Sequence, residues 1–188
     1  AEVWHVLDAM HTQEITPFLF TLDTAGHHAV YHGKLKSEAE NRLAQLFEDE
    51  RHLPLEPIAA MPKDVHVINL SGMGPAANIS TIVNSVANED GLVAYTGTAI
   101  QSQGLSWMDI HHSYGSKGNG ISTLREELGY EDIIVFGDGD NDLSMFAVAD
   151  EAYATANADD EVKALATRVI GHHDEDGVAQ FLRDRFNL

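Results

Sequence analysis

The chain of 188 residues contains no cysteine. Disulfides and thiolate metal sites are therefore excluded, and the redox compartment is left open. Basic residues are scarce: 11 lysines and arginines stand against 30 acids, a formal net charge of −19. A field of that sign disfavours nucleic acid and anionic membrane as partners. It also repels phosphorylated ligands, so a phosphate site here needs local positive charge. With only five lysines in the chain, a lysine near a ligand site is informative. Long apolar runs are missing too, and none approaches the roughly 20 residues of a membrane-spanning helix. A cytoplasmic location is the default expectation. Internal repeats and low-complexity tracts are absent.

What is there is organised around residues 133–146. Ile133 to Phe136 form an unbroken apolar run, which predicts a strand buried on both faces. Gly137 ends it, and Asp138, Asp140 and Asp142 follow. Leu143, Met145 and Phe146 then resume an apolar pattern at helical spacing. A buried strand delivering acids to a strand-to-helix turn is where α/β sheets place ligand sites. Carboxylates this close repel one another, and a bound cation relieves the repulsion. The spacing is not that of a calcium loop, which needs Gly at the sixth position and Glu at the twelfth. Leu143 and Ala149 stand there instead. Capping of the following helix by Asn141 or Asp142 accounts for one acid, not for three.

Taken in order, Val3, Val6, Leu7 and Met10 predict a helix over 2–12. Residues 18–22 and 28–32 predict a hairpin around the turn 23–27. Residues 37–50 read as an acidic amphipathic helix with Ala39, Leu43, Leu46 and Phe47 on one face. Pro54, Pro57 and Pro62 break the next stretch into loop and short extended pieces. Residues 65–70 predict a strand and Ser71-Gly-Met-Gly-Pro75 a turn into a helix, whose inner stripe is Ile79, Ile82, Val83 and Val86. Strands over 92–96 and 105–110 complete an open α+β sandwich, a largely antiparallel sheet with helices on one face.

After His112 the rhythm becomes βα alternation, which predicts a parallel sheet. Ser116-Lys-Gly-Asn-Gly120 leads into a helix with Ile121, Leu124 and Leu128 inward. The strand at 133–136 follows, then short strands at 153–155 and 167–170. Between them lies a helix over 159–166 with Val162 and Leu165 inward. A last helix from Gly177 packs Val178, Phe181 and Leu182. By βα progression both short strands fall on one side of 133–136, so its other edge stays unpaired, a feature open to self-association.

Lys117 is a second candidate site residue. It stands in a Gly-rich turn where Ser116 can cap the helix, and free amides at a helix start favour anions. Spacing alone favours a solvated helix-start lysine, although the helix dipole does not favour a lysine there, and the Walker pattern is absent. Asp174-Glu-Asp176-Gly177-Val178 resembles an acidic nucleophile motif, but no apolar strand precedes it, and Asp176 reads as the cap of the last helix. The pairs His27-His28, His111-His112 and His172-His173 lack metal-ligand spacing and read as solvated loop residues.

Ser116-Lys-Gly-Asn-Gly120, Phe136-Gly-Asp-Gly-Asp-Asn-Asp-Leu-Ser-Met-Phe146, the run Ala149–Ala158 and Gly177-Val178 together resemble haloacid dehalogenase superfamily phosphatases, in particular the Cof-type branch with a large inserted cap. The resemblance implies an α/β fold. Residues 1–110 would form an α+β cap, and 111–188 the C-terminal part of a Rossmannoid core. It also implies a Mg²⁺-dependent hydrolase of small phosphorylated metabolites, such as sugar phosphates, working through an aspartyl-phosphate. Lys117 would neutralise the phosphate and the nucleophile. Asn141 would contact the phosphate. Asp138 would bind Mg²⁺, and Asp142 would hold the metal's waters or the lysine. The nucleophile of that family stands in an Asp-x-Asp-Gly-Thr motif near the N-terminus. The resemblance places the start of this chain inside the cap, past that motif, so the chain alone is expected to be inactive. The alternative is a non-catalytic binding or interaction module that keeps the acidic turn.

Overall fold

Apolar residues at helical spacing form the first helix where expected: α1 spans Glu2–Thr12, with Val6 and Met10 buried. The computed structural model describes residues 2–99 and 104–188. The chain divides into two compact units, Ala1–Ser113 and Tyr114–Leu188.

In the first unit, β1 (Phe18–Leu22) and β2 (His28–His32) form an antiparallel hairpin. Asp23 closes its turn, accepting the backbone N–H of Ala25 and of His27, each at 2.8 Å. The backbone N–H of His27, and then its ring, hold the Asp23 carboxyl below the usual carboxylate range. The helix α2 (Glu38–Gln45), β3 (Leu55–Pro57), β4 (His66–Pro75), α3 (Ala76–Val86), β5 (Leu92–Thr98) and β6 (Leu105–His112) follow. The six strands lie in the order β3-β2-β1-β4-β6-β5, antiparallel throughout except for β2 with β3.

Side-chain alternation splits the unit's core across the sheet. Leu19 pairs with Tyr31 and Leu70, and this face packs against Met10 of α1 and Ile79, Ile82 and Val86 of α3. Phe18 and Val30 face the other way and pack against Ala44 and Phe47. The Phe18 and Phe47 rings meet edge to face at 5.5 Å. Helices thus cover both faces, where the sequence predicts only one.

The helix predicted over 37–50 also differs. It passes at Leu46 into a π-helical turn, Leu46–Glu50. Glu40, Ala44 and Phe47 are its buried residues, while Ala39, Leu43 and Leu46 are only half-buried. The buried acid has a local cause. Glu40 Oε2 accepts the backbone N–H of Ser37 at 2.9 Å, and Ser37 Oγ accepts that of Glu40 at 3.2 Å. This capping box turns Glu40 inward and rotates the helix about its axis.

The predicted turn at 71–75 is instead the second half of β4, paired with β6 through Ser71↔Asp109, Met73↔Trp107 and Pro75↔Leu105. Its glycines serve close approach rather than reversal. A Cβ on Gly72 would lie 2.8 Å from Ile15 Cγ2, and one on Gly74 2.3 Å from Ile15 Cδ1.

The second unit contains α4 (Lys117–Leu128), β7 (Ile134–Gly137), α5 (Leu143–Phe146), β8 (Glu151–Ala154), α6 (Asp160–Leu165), β9 (Arg168–Val169) and α7 (Gly177–Phe186). Its three strands are parallel in the order β7-β8-β9, giving the mixed α/β fold that the sequence predicts. Val135, Phe146, Ala152, Ala154 and Val162 form its core. Among the described residues β7 is an edge strand. Val135 is buried, but Ile134 and Phe136 are half-buried, so burial on both faces is not observed. Leu124, Leu128 and Leu165, expected inward, are 49%, 57% and 61% exposed. The cause is that α4 is buried only at its first turn, at Gly118, and the short α6 buries only Val162. No helix among the described residues is long and apolar enough to cross a membrane.

Candidate active site

Parallel strands end with their carbonyls toward one rim, where the following loops collect. At that rim the backbone carbonyls of Gly137 and Asp138 accept the N–H of Thr155 and of Asp159, each at 3.2 Å. The acidic turn is thus clamped by the loop that follows β8. Within it, Asp142 folds back over the strand end and is 3% exposed. Its Oδ2 accepts the backbone N–H of Asp138 at 2.8 Å and of Gly139 at 3.1 Å. Its Oδ1 accepts a hydrogen bond from Lys117 Nζ. Asp142 occupies the N-cap position of α5 but makes no side-chain capping bond. Holding the turn and the lysine is its observed role.

Lys117 reaches Asp142 because of how α4 begins. Ser116 Oγ accepts the N–H of Asn119 at 3.2 Å and caps the helix, as its sequence predicts. The N–H of Gly118 donates to Ser144 Oγ at 3.1 Å. A Cβ on Gly118 would stand 2.3 Å from the backbone oxygen of Ser144. The first turn of α4 can therefore lie directly on α5, which brings Lys117 Nζ also within 3.4 Å of Asn141 Oδ1. Backbone cannot yield as a side-chain end can. Gly118→Ala should destabilise the second unit by about 3 kcal/mol, measured by urea denaturation. A cost below about 1 kcal/mol would mean that α4 is free to shift.

Asp138 is exposed at the strand end. Asn157 fixes it: the Asn157 amide donates to Asp138 Oδ2 at 2.9 Å, and Asn157 Oδ1 accepts the N–H of His173 at 3.3 Å. The sequence reasoning missed Asn157 as a site residue. The available signal was a polar residue in the loop after β8, at the same end of the sheet as the acidic turn. Lys117, Asn141 and Asp142 therefore form one contact cluster, and Asp138 joins it through its own backbone N–H and through Asn157.

The other candidates lie elsewhere in chemistry. Asp174 and Asp176 are exposed, on a 3-10 turn and at the start of α7, not at a strand end. Asp176 has φ 54° and makes no side-chain cap, so the expected capping by its carboxylate is not observed. The reason is its left-handed backbone, whereas a capping side chain works from extended backbone. His172, His173 and Asp174 bring one potential ligand atom each within 4.8 Å of one another. The other two histidine pairs form no such group among the described residues.

A parallel sheet with a lysine and a carboxylate cluster at its carboxyl rim has the arrangement in which α/β proteins place ligand sites. Residues 1–182 match the model of the haloacid dehalogenase-like hydrolases, and the chain belongs to that family. It is 42% identical over 82 residues to the pyridoxal phosphate phosphatase YbhA of Escherichia coli, a match covering 41% of this chain and 30% of that protein. It is 41% identical over 71 residues to a phosphoglycolate phosphatase of Halorubrum lacusprofundi, covering 37% and 31%. The chain thus matches about a third or less of the length of these relatives. In fold it is similar to a haloacid dehalogenase-like hydrolase from B. subtilis, with a TM-score of 0.74 at 17% identity, covering 100% of this chain and 70% of that one. A second such hydrolase, from Bacteroides thetaiotaomicron, gives 0.71 at 20% identity, covering 98% and 66%.

Proposed function

We propose that this chain carries the lysine- and metal-bearing half of a Mg²⁺-dependent phosphomonoesterase for small phosphorylated metabolites, sugar phosphates among them. The observation that carries the reading is the cluster in which Asp142 grips Lys117 while Asn157 orients Asp138. The phosphatases named above act, by their names, on small phosphate monoesters, which supports the substrate class.

Each residue then has a chemical part. Lys117 would place positive charge on the phosphate in a protein otherwise strongly negative. Asp142 would keep that ammonium pointed. Asn141 would hydrogen-bond a phosphate oxygen. For the metal, the donor set fits a hard cation. One oxygen of Asp138 is held by Asn157, and the other has no hydrogen-bond partner among the described residues. Asp138 would hold Mg²⁺ directly. Both oxygens of Asp142 are already engaged, so it would reach the ion through water. Bound Mg²⁺ supplies Lewis-acid stabilisation of charge on the phosphoryl oxygens.

The aspartyl-phosphate of this mechanism needs a nucleophilic aspartate at a neighbouring strand end. Neither Asp174 nor Asp176 stands at one, so this chain alone is expected to show no turnover. Joined to a strand bearing Asp-x-Asp, it should release phosphate from small esters only with Mg²⁺. Asp138→Asn should lower that rate by about 100-fold. Rates unchanged by EDTA would sink the metal assignment. Binding of phosphate and Mg²⁺ without any turnover in the joined protein would favour the non-catalytic binding module.

A further inference from the structure

The first unit contains a cavity of about 640 Å³ between the α2–π-helical segment and the sheet face opposite α1 and α3. That volume is in the range of small-molecule sites. The sheet and the helical segment contribute different chemistry to it. From the sheet come Asn69, Asp109 and Trp107; from the helical segment come Arg42, Phe47 and Arg51. Arg42 and Arg51 are the only arginines of the first unit, in a chain with 30 acids and 11 bases, and both line this one cavity. Arg42 pairs with the exposed Glu38. Arg51 lies over the Phe47 ring at 5.5 Å and makes no ion pair among the described residues.

On the sheet side Asn69 and Asp109 supply acceptors. The Asn69 amide donates to Asp109 Oδ1 at 3.1 Å. Asn69 Oδ1 is buried and has no hydrogen-bond partner among the described residues. A buried acceptor left unpaired is costly, and a ligand N–H or O–H would satisfy it. Trp107 lies flat on β5, where a Cβ on Gly97 would come within 2.8 Å of its indole ring. Trp107, Phe47 and Phe20 give the cavity aromatic walls.

We propose that this cavity is a binding site for a small anion with a planar unsaturated ring that carries a hydrogen-bond donor. The ring would lie among Trp107, Phe20 and Phe47. The donor would meet Asn69 Oδ1 and Asp109, and the anion would meet Arg51 and Arg42. The proposal does not rest on the phosphatase reading, because every residue it uses belongs to the first unit and its test reads binding.

The test uses the 188-residue chain and three probes: uridine 5′-monophosphate, which has ring, donor and anion; uridine, which lacks the anion; and ribose 5-phosphate, which lacks the ring. The readout is the indole N–H resonance of Trp107 in ¹H–¹⁵N spectra, with the exposed Trp4 as internal control. Uridine 5′-monophosphate should shift Trp107 but not Trp4, and bind at least about tenfold more tightly than either fragment. Arg51→Gln, a surface change, and Asn69→Ala should each weaken it by about tenfold. Lys117→Ala should leave the Trp107 response unchanged, which separates this site from a phosphate site in the second unit. An unmoved Trp107, equal affinity for uridine and its monophosphate, or full binding by well-folded Arg51→Gln would overturn the proposal.

Discussion

Lys117→Ala should reduce phosphate release by about 10²- to 10³-fold in the protein formed by joining this chain to a strand bearing Asp-x-Asp. The lysine is the only cation in contact with the acidic turn among the described residues, and it faces a net charge of −19. A phosphate dianion brought to this rim without it meets Asp138, Asp140 and Asp142 unscreened. Lys117→Arg should not restore the rate. A guanidinium is a wide planar fork, whereas the site holds a compact ammonium between Asn141 Oδ1 and Asp142 Oδ1. Steady-state kinetics over a series of phosphate esters checks both variants. Near-normal activity in either would remove Lys117 from the phosphate site.

Asp142→Ala has the second large expected effect, and it can be read without any turnover. The substitution takes away the acceptor for the N–H of Asp138 and of Gly139 and the partner of Lys117. Lys117 is half exposed and can return to water, so its release costs little. The two backbone donors sit at a turn packed against the loop after β8, and there the loss is larger. Together the changes should destabilise the second unit by about 2–4 kcal/mol. Asp142→Asn keeps one carbonyl acceptor but turns an amide toward the ammonium, so its cost should be smaller, about 1–2 kcal/mol. Hydrogen exchange gives a local reading. The Asp138 and Gly139 amides should lose protection in Asp142→Ala ahead of the core of β8. Equal protection in variant and parent would mean that the turn is held by other contacts.

The two variants separate roles that a list of acids leaves merged. Lys117→Ala should disable the chemistry while sparing most of the stability. Asp142→Ala should damage both, because the same carboxylate shapes the turn and aims the lysine. Asp138→Asn should spare stability, since Asp138 is exposed and its contact with Asn157 can be made by an amide oxygen.

Features set by neighbours along the chain were legible in the sequence. The stripe Val6–Met10 forms α1, the 23–27 turn makes a hairpin, Ser116 caps α4, and Ile134–Gly137 is a strand that ends in acids. These depend on helical or strand period, on capping and on turn chemistry, all of which act within a few residues. The residue types at the rim were legible for the same reason: a glycine-terminated apolar strand followed by three aspartates has few bland explanations.

What tertiary structure alone decided involves partners far apart in the chain. Gly72 and Gly74 read as turn residues, yet they lie in β4 because Ile15 occupies the space their side chains would fill. Residues 37–50 read as an amphipathic helix with Ala39, Leu43, Leu46 and Phe47 on its inner face, yet Glu40 is buried there by a capping box that rotates α2. Leu124 and Leu128 repeat at core spacing, yet they stay exposed because α4 is buried only at its first turn. Asn157 carries only a weak signal along the chain, because its partner Asp138 lies 19 positions away, in the loop after β7. The sequence by itself determined that an apolar strand ends in a glycine and three carboxylates, and that a capped helix begins at a lysine. Only the tertiary structure decided which carboxylate holds the lysine and which is left with a free oxygen. Local propensity is blind to the packing of α4 on α5 and to the clamp from the loop after β8.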